Sequence, residues 1–159
     1  GRYRISTSMK GTLTLSNKWD MRFLELAEHI AGWSKDPSKQ IGAVAVGAQR
    51  QILAQGYNGF PRGIEDSLDR YDDREEKYKL VVHAEMNVIY NASYNGVSLN
   101  ESTLYVHGLP VCSECAKGII QVGIKNVIMR ESIVPDIWLE SWKKTEQMFK
   151  ESGVYYGFK

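Results

Sequence analysis

Both cysteines of this chain lie in one short segment, Pro110-Val111-Cys112-Ser113-Glu114-Cys115, and a histidine-alanine-glutamate triplet, His83-Ala84-Glu85, precedes them. Thiolates and imidazole nitrogens are the ligands that Zn²⁺ takes most often in proteins. The residue types therefore predict a zinc site, provided that the fold brings the two segments together.

The spacing of these residues indicates how such a site would be built. Cysteines at i and i+3 at the start of a helix can direct both sulfurs to one point, where helix N–H groups stabilise thiolates. His83, at the start of a different helix, would be the third ligand. Three protein ligands leave a fourth position for water, which is typical of a catalytic zinc.

Two other interpretations of the cysteine pair are considered. A redox pair of thioredoxin type should follow the first strand of its fold, whereas this pair follows three predicted strands and two predicted helices. A structural zinc site is usually closed by four Cys or His ligands, and only three are evident here.

Glu85 bears on the choice between these interpretations. It lies two positions after His83, so its side chain leaves the helix in a different direction from that ligand. A carboxylate beside the water of a catalytic zinc can take a proton and deliver it to a ring nitrogen. Taken alone, a glutamate in a first turn can simply interact with the helix dipole. Together with His83 and the cysteine pair, it favours hydrolysis.

The elements that must position these residues alternate along the chain. The predicted order is a helix from Asn17, a hairpin of strands 41–46 and 52–57, a helix from about 83 to 95, a strand at 103–107, a helix at 112–122, a strand at 126–129 and a last helix after Pro135. The late alternation predicts parallel strands with crossover helices, and the hairpin adds an antiparallel edge. The fold class is α/β, with helices on both faces of a mixed sheet.

Composition limits the partners. With 159 residues, the chain is expected to form one domain. Lys and Arg number 20 against 19 for Asp and Glu, a net charge of +1, which argues against a protein that holds a nucleic acid polymer by charge. No apolar run approaches the roughly 20 residues that span a bilayer, so no membrane partner is expected.

The N-terminus and the cysteine count bear on domain limits and compartment. Residues 1–8 show no period and precede Met9, so they are interpreted as a remnant of cloning, and 9–159 as a single domain. Two cysteines cannot form the disulfide framework of a small secreted domain, and no secretion signal begins the sequence. The cytoplasm is expected, or the host cytoplasm for a viral protein.

At this point the sequence resembles a known family. His-X-Glu followed by Pro-Cys-X-X-Cys is the pattern of zinc-dependent nucleobase deaminases. The segment 56–63, GYNGFPRG, and the segment Ser34-Lys35-Asp36-Pro37 resemble the deoxycytidylate (dCMP) deaminase family in particular, and the similarity runs from about Asn17 to Val154. One departure is Val111, which stands between Pro110 and the first cysteine and predicts a bulge in the loop over the site.

The resemblance implies a fold and a reaction. The fold would be the cytidine-deaminase-like α/β/α sandwich with a mixed five-stranded sheet. The reaction would be hydrolytic deamination of dCMP to dUMP, a thymidylate precursor, at a catalytic Zn²⁺ held by His83, Cys112 and Cys115. Glu85 would accept a proton from the attacking water, protonate N3 of cytosine and help ammonia to leave.

Candidate substrate contacts follow from the same resemblance. Asn58 is the candidate for the sugar, although it could instead be a turn asparagine in a left-handed conformation. Ser34 and Lys35 could bind the 5′-phosphate, or they could be only a polar loop. His107, where the family usually has threonine, could contact a nucleotide at the rim or be structural. Ala84 is also placed among the substrate contacts.

The resemblance also implies regulation and assembly. Family members are commonly homo-hexamers that dCTP activates and dTTP inhibits, with Mg²⁺ accompanying the triphosphate. Gly59 and Arg62 are the candidate effector contacts. The acid-rich segment 65–77 is predicted to be a solvated loop running into a helix, and could form a lid beside them.

Two rival functions stay open. The first is a relative that acts on another base, such as free cytosine, guanine or adenosine in tRNA, although the charge of +1 argues against a tRNA surface. The second is a non-catalytic zinc-binding or nucleotide-sensing module, which would have no use for Glu85.

Overall fold

A computed structural model describes the chain over residues 2–5 and 17–159. Within these residues the strands are β1 (Arg2–Ile5), β2 (Gly42–Val46), β3 (Ile52–Tyr57), β4 (Thr103–His107), β5 (Asn126–Met129), β6 (Ser132–Pro135) and β7 (Tyr155–Phe158). The helices are α1 (Asn17–Ala31), α2 (Leu68–Asp72), α3 (Arg74–Leu80), α4 (Ala84–Tyr94), α5 (Ser113–Gln121) and α6 (Leu139–Ser152), with a 3₁₀ turn at Asp136–Trp138. No described helix is long and apolar enough to cross a membrane.

The central sheet is mixed and has the strand order β3-β2-β4-β5-β7. The hairpin β2–β3 and the pair β2–β4 are antiparallel, whereas β4–β5 and β5–β7 are parallel. This confirms both the predicted hairpin and the predicted parallel pairing. The fifth strand, β7, was not predicted from the residues themselves.

Helices cover both faces of the sheet, as the α/β/α architecture requires. Successive residues of a strand face opposite sides, so that Val44, Tyr105 and Ile128 pack with the apolar face of α1. Their neighbours along the same strands pack in a larger cluster with α4, α5 and α6. In that cluster Phe149 of α6 is fully buried and lies against Tyr156 of β7.

Two stretches differ from the expected layout. The acid-rich segment 65–77 contains α2 and most of α3 rather than a loop that ends in a helix. Of residues 1–8, Arg2–Ile5 is described, and it pairs antiparallel with β6 in a second, two-stranded sheet. The remaining residues of that stretch and Met9 lie outside the described part of the chain, so the division at residue 9 stays a prediction.

Glycines allow α4 and α5, which begin at the candidate zinc ligands, to pack closely. A Cβ atom at Gly56 of β3 would lie 2.7 Å from the Ala84 carbonyl oxygen, so only glycine lets α4 approach the sheet there. A Cβ atom at Gly118 of α5 would lie 2.9 Å from the sulfur of Met86 on α4. These close contacts let α4 approach both β3 and α5.

Candidate active site

The segment with His83 and the segment with the two cysteines meet at the N-terminal ends of α4 and α5. His83 is the N-cap residue of α4 and Cys112 the N-cap residue of α5, while Cys115 lies in the first turn of α5. Each cysteine sulfur lies 3.3 Å from Nδ1 of His83. The three ligand atoms lie within 4.8 Å of one another, which is close enough to share one metal ion. The predicted convergence of these three residues is thus present.

Electrostatics favour a thiolate in this cluster. The hydrogen bond with Cys115 and the neighbouring His83 lower the pKa of Cys112 to about 4. The same hydrogen bond, together with burial, raises the pKa of Cys115. Hydrogen bonding with Cys112 raises the pKa of His83. One nitrogen and two sulfur donors in this arrangement are the ligand set typical of Zn²⁺.

Glu85 stands beside the cluster with part of its carboxylate unused. Its side chain is almost completely buried, and among the described residues its Oε1 atom has no hydrogen-bond partner. Burial, and secondarily the negative charge on Cys112, raises the pKa of Glu85 to about 7. A buried polar atom without a partner is costly. The ligand set fits Zn²⁺, and the free oxygen would be available to a water molecule that such an ion would activate.

A cleft of about 350 Å³ opens onto this group, within the usual range of about 300–1,000 Å³ for small-molecule sites. His83, Glu85 and Cys112 line one part of it. Apolar side chains from the loop before α5, from the 3₁₀ turn and from α6 line another part: Leu109, Pro110, Val111, Trp138 and Trp142. The lining also includes three cations, Lys39, Arg74 and Lys77, and the carboxylate of Asp36. The cleft therefore combines a reactive group, an apolar wall and positive charge.

Val111 is anchored from α6. Its side chain is fully buried and its carbonyl oxygen accepts a hydrogen bond of 2.8 Å from Oγ1 of Thr145. The residue that separates Pro110 from Cys112 is thus held by α6, and all three residues line the cleft.

Asn58 lines the cleft, but its amide already makes hydrogen bonds within the protein. Its Oδ1 accepts from the backbone N–H of Ile41 at 2.9 Å, and its Nδ2 donates to the carbonyl oxygen of Lys39 at 2.9 Å. Its φ angle is not positive, so the left-handed alternative is wrong. The hydroxyl of Ser34 is buried and donates to the Asn58 carbonyl at 2.8 Å. Contacts of Asn58 and Ser34 with a nucleotide stay predictions.

The other candidates lie at different places. Lys35 is exposed, pairs with Asp66 and does not line the cleft. His107 lines a neighbouring open cavity of about 550 Å³ together with Arg130. Ala84 is buried at the start of α4. For Lys35 and His107, the geometry does not favour contact with a nucleotide in the cleft.

Gly59 and Arg62 lie together in a separate pocket of about 350 Å³. It is lined by the end of β3, the following turn and one side of α4, and shares no lining residue with the cleft among the residues that the structure describes. The guanidinium of Arg62 donates to Oδ1 of Asn91 and lies over the ring of Tyr94. A second ligand could therefore bind here without blocking the cleft.

Asp36 holds the wall of the cleft through an ion pair that the sequence did not predict. Its Oδ2 lies 2.7 Å from Nζ of Lys77, and both side chains are largely buried. Burial acts to raise the pKa of Asp36, but hydrogen bonds from Lys77, from the backbone and hydroxyl of Ser38 and from the backbone of Lys39 outweigh it and hold the pKa below its ordinary value of 3.8. Tyr71 also faces this charge.

Replacing this carboxylate should weaken the fold in a pH-dependent way. A lowered pKa stabilises the fold fully above the ordinary value of 3.8, and this stabilisation is lost as pH falls through the lower pKa of the folded state. We expect Asp36→Asn to lower the free energy of unfolding at pH 7 by about 1.5–3 kcal/mol, and the difference from wild type to shrink at pH near 3. Urea unfolding at both pH values measures it.

Asp66→Asn is the matched control, because Asp66 pairs with Lys35 at the surface and such pairs contribute about 0–1 kcal/mol. An Asp36→Asn deficit of equal size at both pH values would contradict a role for the charge.

The chain is similar to known proteins. A family model described as the cytidine and deoxycytidylate deaminase zinc-binding region matches residues 17–131. An uncharacterized deaminase of Aliivibrio fischeri is 39% identical over 140 residues, 87% of this chain and 91% of the relative. The deoxycytidylate deaminase of Mus musculus is 38% identical over 144 residues, 87% of this chain and 78% of the relative.

The fold has matches among solved structures. The dCMP deaminase of cyanophage S-TIM5, crystallised in complex with dCMP and dUMP, superimposes with a TM-score of 0.75 at 24% identity. The match covers 91% of this chain and 99% of that one. At this identity the likeness concerns the fold.

Proposed function

Because the chain belongs to the cytidine and deoxycytidylate deaminase family, we propose that it hydrolyses dCMP to dUMP and ammonia with the help of Zn²⁺. The observation that carries the proposal is the buried, unpartnered Oε1 of Glu85 beside the cluster of His83, Cys112 and Cys115. A hydrolytic deaminase needs a proton-transferring group beside its metal, and a metal site without catalysis does not.

The residues around the cleft account for the proton transfers. Zinc held by His83, Cys112 and Cys115 would lower the pKa of the attacking water. The water oxygen bonds to C4 of cytosine, and the bond from C4 to the exocyclic nitrogen breaks. Glu85 takes a proton from water and delivers it to N3, and the second water proton leaves with the amine as ammonia. Oε1 is available for this transfer because no donor from the residues that the structure describes bonds to it.

Burial of Glu85 serves the same steps. A carboxylate that is shielded from bulk water interacts more strongly with the few protons that reach it. The apolar wall of Leu109, Trp138 and Trp142 would exclude water around the cytosine ring. The two indole rings offer flat surfaces against which this ring can pack. Nucleotide binding would complete this exclusion.

Regulation and assembly form the finer part of the proposal. The pocket at Gly59 and Arg62 would take a deoxynucleoside triphosphate with its Mg²⁺, with dCTP activating and dTTP inhibiting. The arginine supports this role because a guanidinium suits phosphate oxygens. We further propose a homo-hexamer that works in the cytoplasm.

Ammonia release tests the function. Zinc-loaded protein would be given dCMP, CMP, deoxycytidine and cytosine, each alone and with dCTP or dTTP plus Mg²⁺. We expect dCMP to be the preferred substrate, with the rate raised by dCTP and lowered by dTTP. Preference for cytosine would favour the free-base rival, and no turnover by zinc-loaded protein would favour another base or a binding module. Turnover of dCMP without response to either triphosphate would contradict the regulatory part alone.

A further inference from the structure

Helix α3 presents a basic face to the cleft although its segment is rich in acids. Arg74, Lys77 and Tyr78 of this helix all line the cleft. They stand at positions i, i+3 and i+4, which share one side of a helix. Glu75 and Glu76 do not line the cleft. Although acids outnumber bases in the segment 65–77, the side of α3 that faces the cleft beside Glu85 is cationic.

The cations of this surface differ in how far they are committed. Lys77 is neutralised by Asp36, which lies 2.7 Å away, and its ammonium also donates to the hydroxyl of Ser38. Arg74 is exposed, and among the described residues it makes no hydrogen bond or ion pair. Lys77 therefore fastens α3 to the loop after α1, whereas the guanidinium of Arg74 is available to a ligand.

We propose that Arg74 binds the 5′-phosphate of the nucleotide and so selects a nucleoside monophosphate over the nucleoside. The inference rests on the proposed function, because that function places the base at Glu85. A phosphate attached to such a nucleotide needs a counter-charge elsewhere on the lining of the same cleft. Guanidinium groups bind phosphate through two parallel hydrogen bonds, which gives an arginine more selectivity than a lysine.

The neighbours of Arg74 fit this role. Tyr78 follows it by one helical turn and is 53% exposed, so its ring can cover the sugar that leads to the phosphate. Lys39 adds positive charge at the edge shared with the neighbouring open cavity. The earlier candidates fit less well, because Ser34 donates to a protein carbonyl and Lys35 is paired with Asp66 outside the cleft.

Arg74→Gln tests the proposal through two readouts. The first is kcat/KM for dCMP and for deoxycytidine, and the second is the Kd of dUMP and of deoxyuridine, measured by calorimetry on zinc-loaded protein. A hydrogen bond to a charged group contributes about 1.5–3 kcal/mol, so we expect dCMP turnover efficiency and dUMP affinity to fall about 10- to 150-fold. The values for the two nucleosides should change less than about threefold, since they lack the phosphate.

Lys79→Gln is the matched control, because Lys79 lies on the same helix but does not line the cleft and pairs with Glu75 at the surface. It should leave all four values near those of wild type. Equal losses for nucleotide and nucleoside in Arg74→Gln, or no loss at all, would overturn the assignment.

The same data separate this inference from the proposed function. If wild-type protein does not turn over dCMP, the proposed function fails, and Arg74 is judged on binding alone. A selective loss of dUMP affinity in Arg74→Gln then supports a phosphate site. Equal dUMP affinity in variant and wild type, including no binding by either, overturns it.

Discussion

Glu85→Gln is expected to lower kcat for dCMP by about 10²–10⁴-fold, the usual contribution of a positioned proton-transferring group. The amide keeps the size of the carboxylate but cannot take a proton from water. Glu85 supplies none of the three ligand atoms that converge, so the zinc content should stay at the wild-type level. Steady-state ammonia release, metal analysis and thermal unfolding on the same preparations measure all three properties.

The variant should also remain folded. The carboxylate has an oxygen without a protein partner, so an amide at this position breaks no hydrogen bond to Oε1 among the described residues. Glu114→Gln is the matched control, since Glu114 lies in the first turn of α5 but is exposed and pairs with Lys117. Wild-type turnover in Glu85→Gln would remove Glu85 from the mechanism. Loss of zinc together with activity would instead make it a structural support.

The alternating elements could be predicted because their patterns are local. The apolar face of α1 is visible as a helical period, and the buried strands β2 and β4 are visible as short apolar runs. Strand β7 was missed for a different reason. It has four residues, includes Gly157 and follows Gly153, whose φ of 80° ends α6. Its place is determined by parallel pairing with β5, which is a contact that no local pattern reveals.

The convergence of His83, Cys112 and Cys115 could be predicted from their spacing, whereas the basic face of α3 could not. A cysteine pair at i, i+3 and a histidine that begins a helix carry their geometry in their spacing. Whether α3 offers cations to the cleft depends on which side of the helix faces it. In the segment 65–77 the acids outnumber the bases, and the basic face of α3 becomes visible only when Arg74 and Lys77 are considered at helical spacing.

The structure also shows which protein groups the other polar candidates contact. Asn58 and Ser34 have the residue types of a sugar or phosphate site, yet their side chains make hydrogen bonds to the backbone of the 34–41 and 58 segments. Residue type and family pattern cannot distinguish a side chain that contacts ligand from one that shapes the wall behind it. His107 is a second example, because its residue type suits a nucleotide contact but it ends β4 beside a different cavity.

Cys112→Ser is expected to lose zinc to background level and to lower the free energy of unfolding by about 3–4 kcal/mol or more. This is the stabilisation given by a ligand present at about 100–1,000 times its Kd. Serine is chosen because Cys112 is also the N-cap of α5 and its sulfur accepts from the backbone N–H of Cys115. A serine hydroxyl is a favourable N-cap acceptor, so the variant removes the thiolate while it keeps the cap.

Comparison with Cys112→Ala separates the two roles of this side chain. Both variants should lack zinc. Alanine should lower the free energy of unfolding by a further amount of about 0.5–2 kcal/mol, because the N-cap is lost as well. Chelation of wild-type protein should reproduce the stability of Cys112→Ser, and the chelator should have no further effect on either variant. If Cys112→Ser bound zinc as wild type does, the ligand set of His83, Cys112 and Cys115 would be wrong. If it lost zinc without loss of stability, the ion would serve catalysis without supporting the junction of α4 and α5.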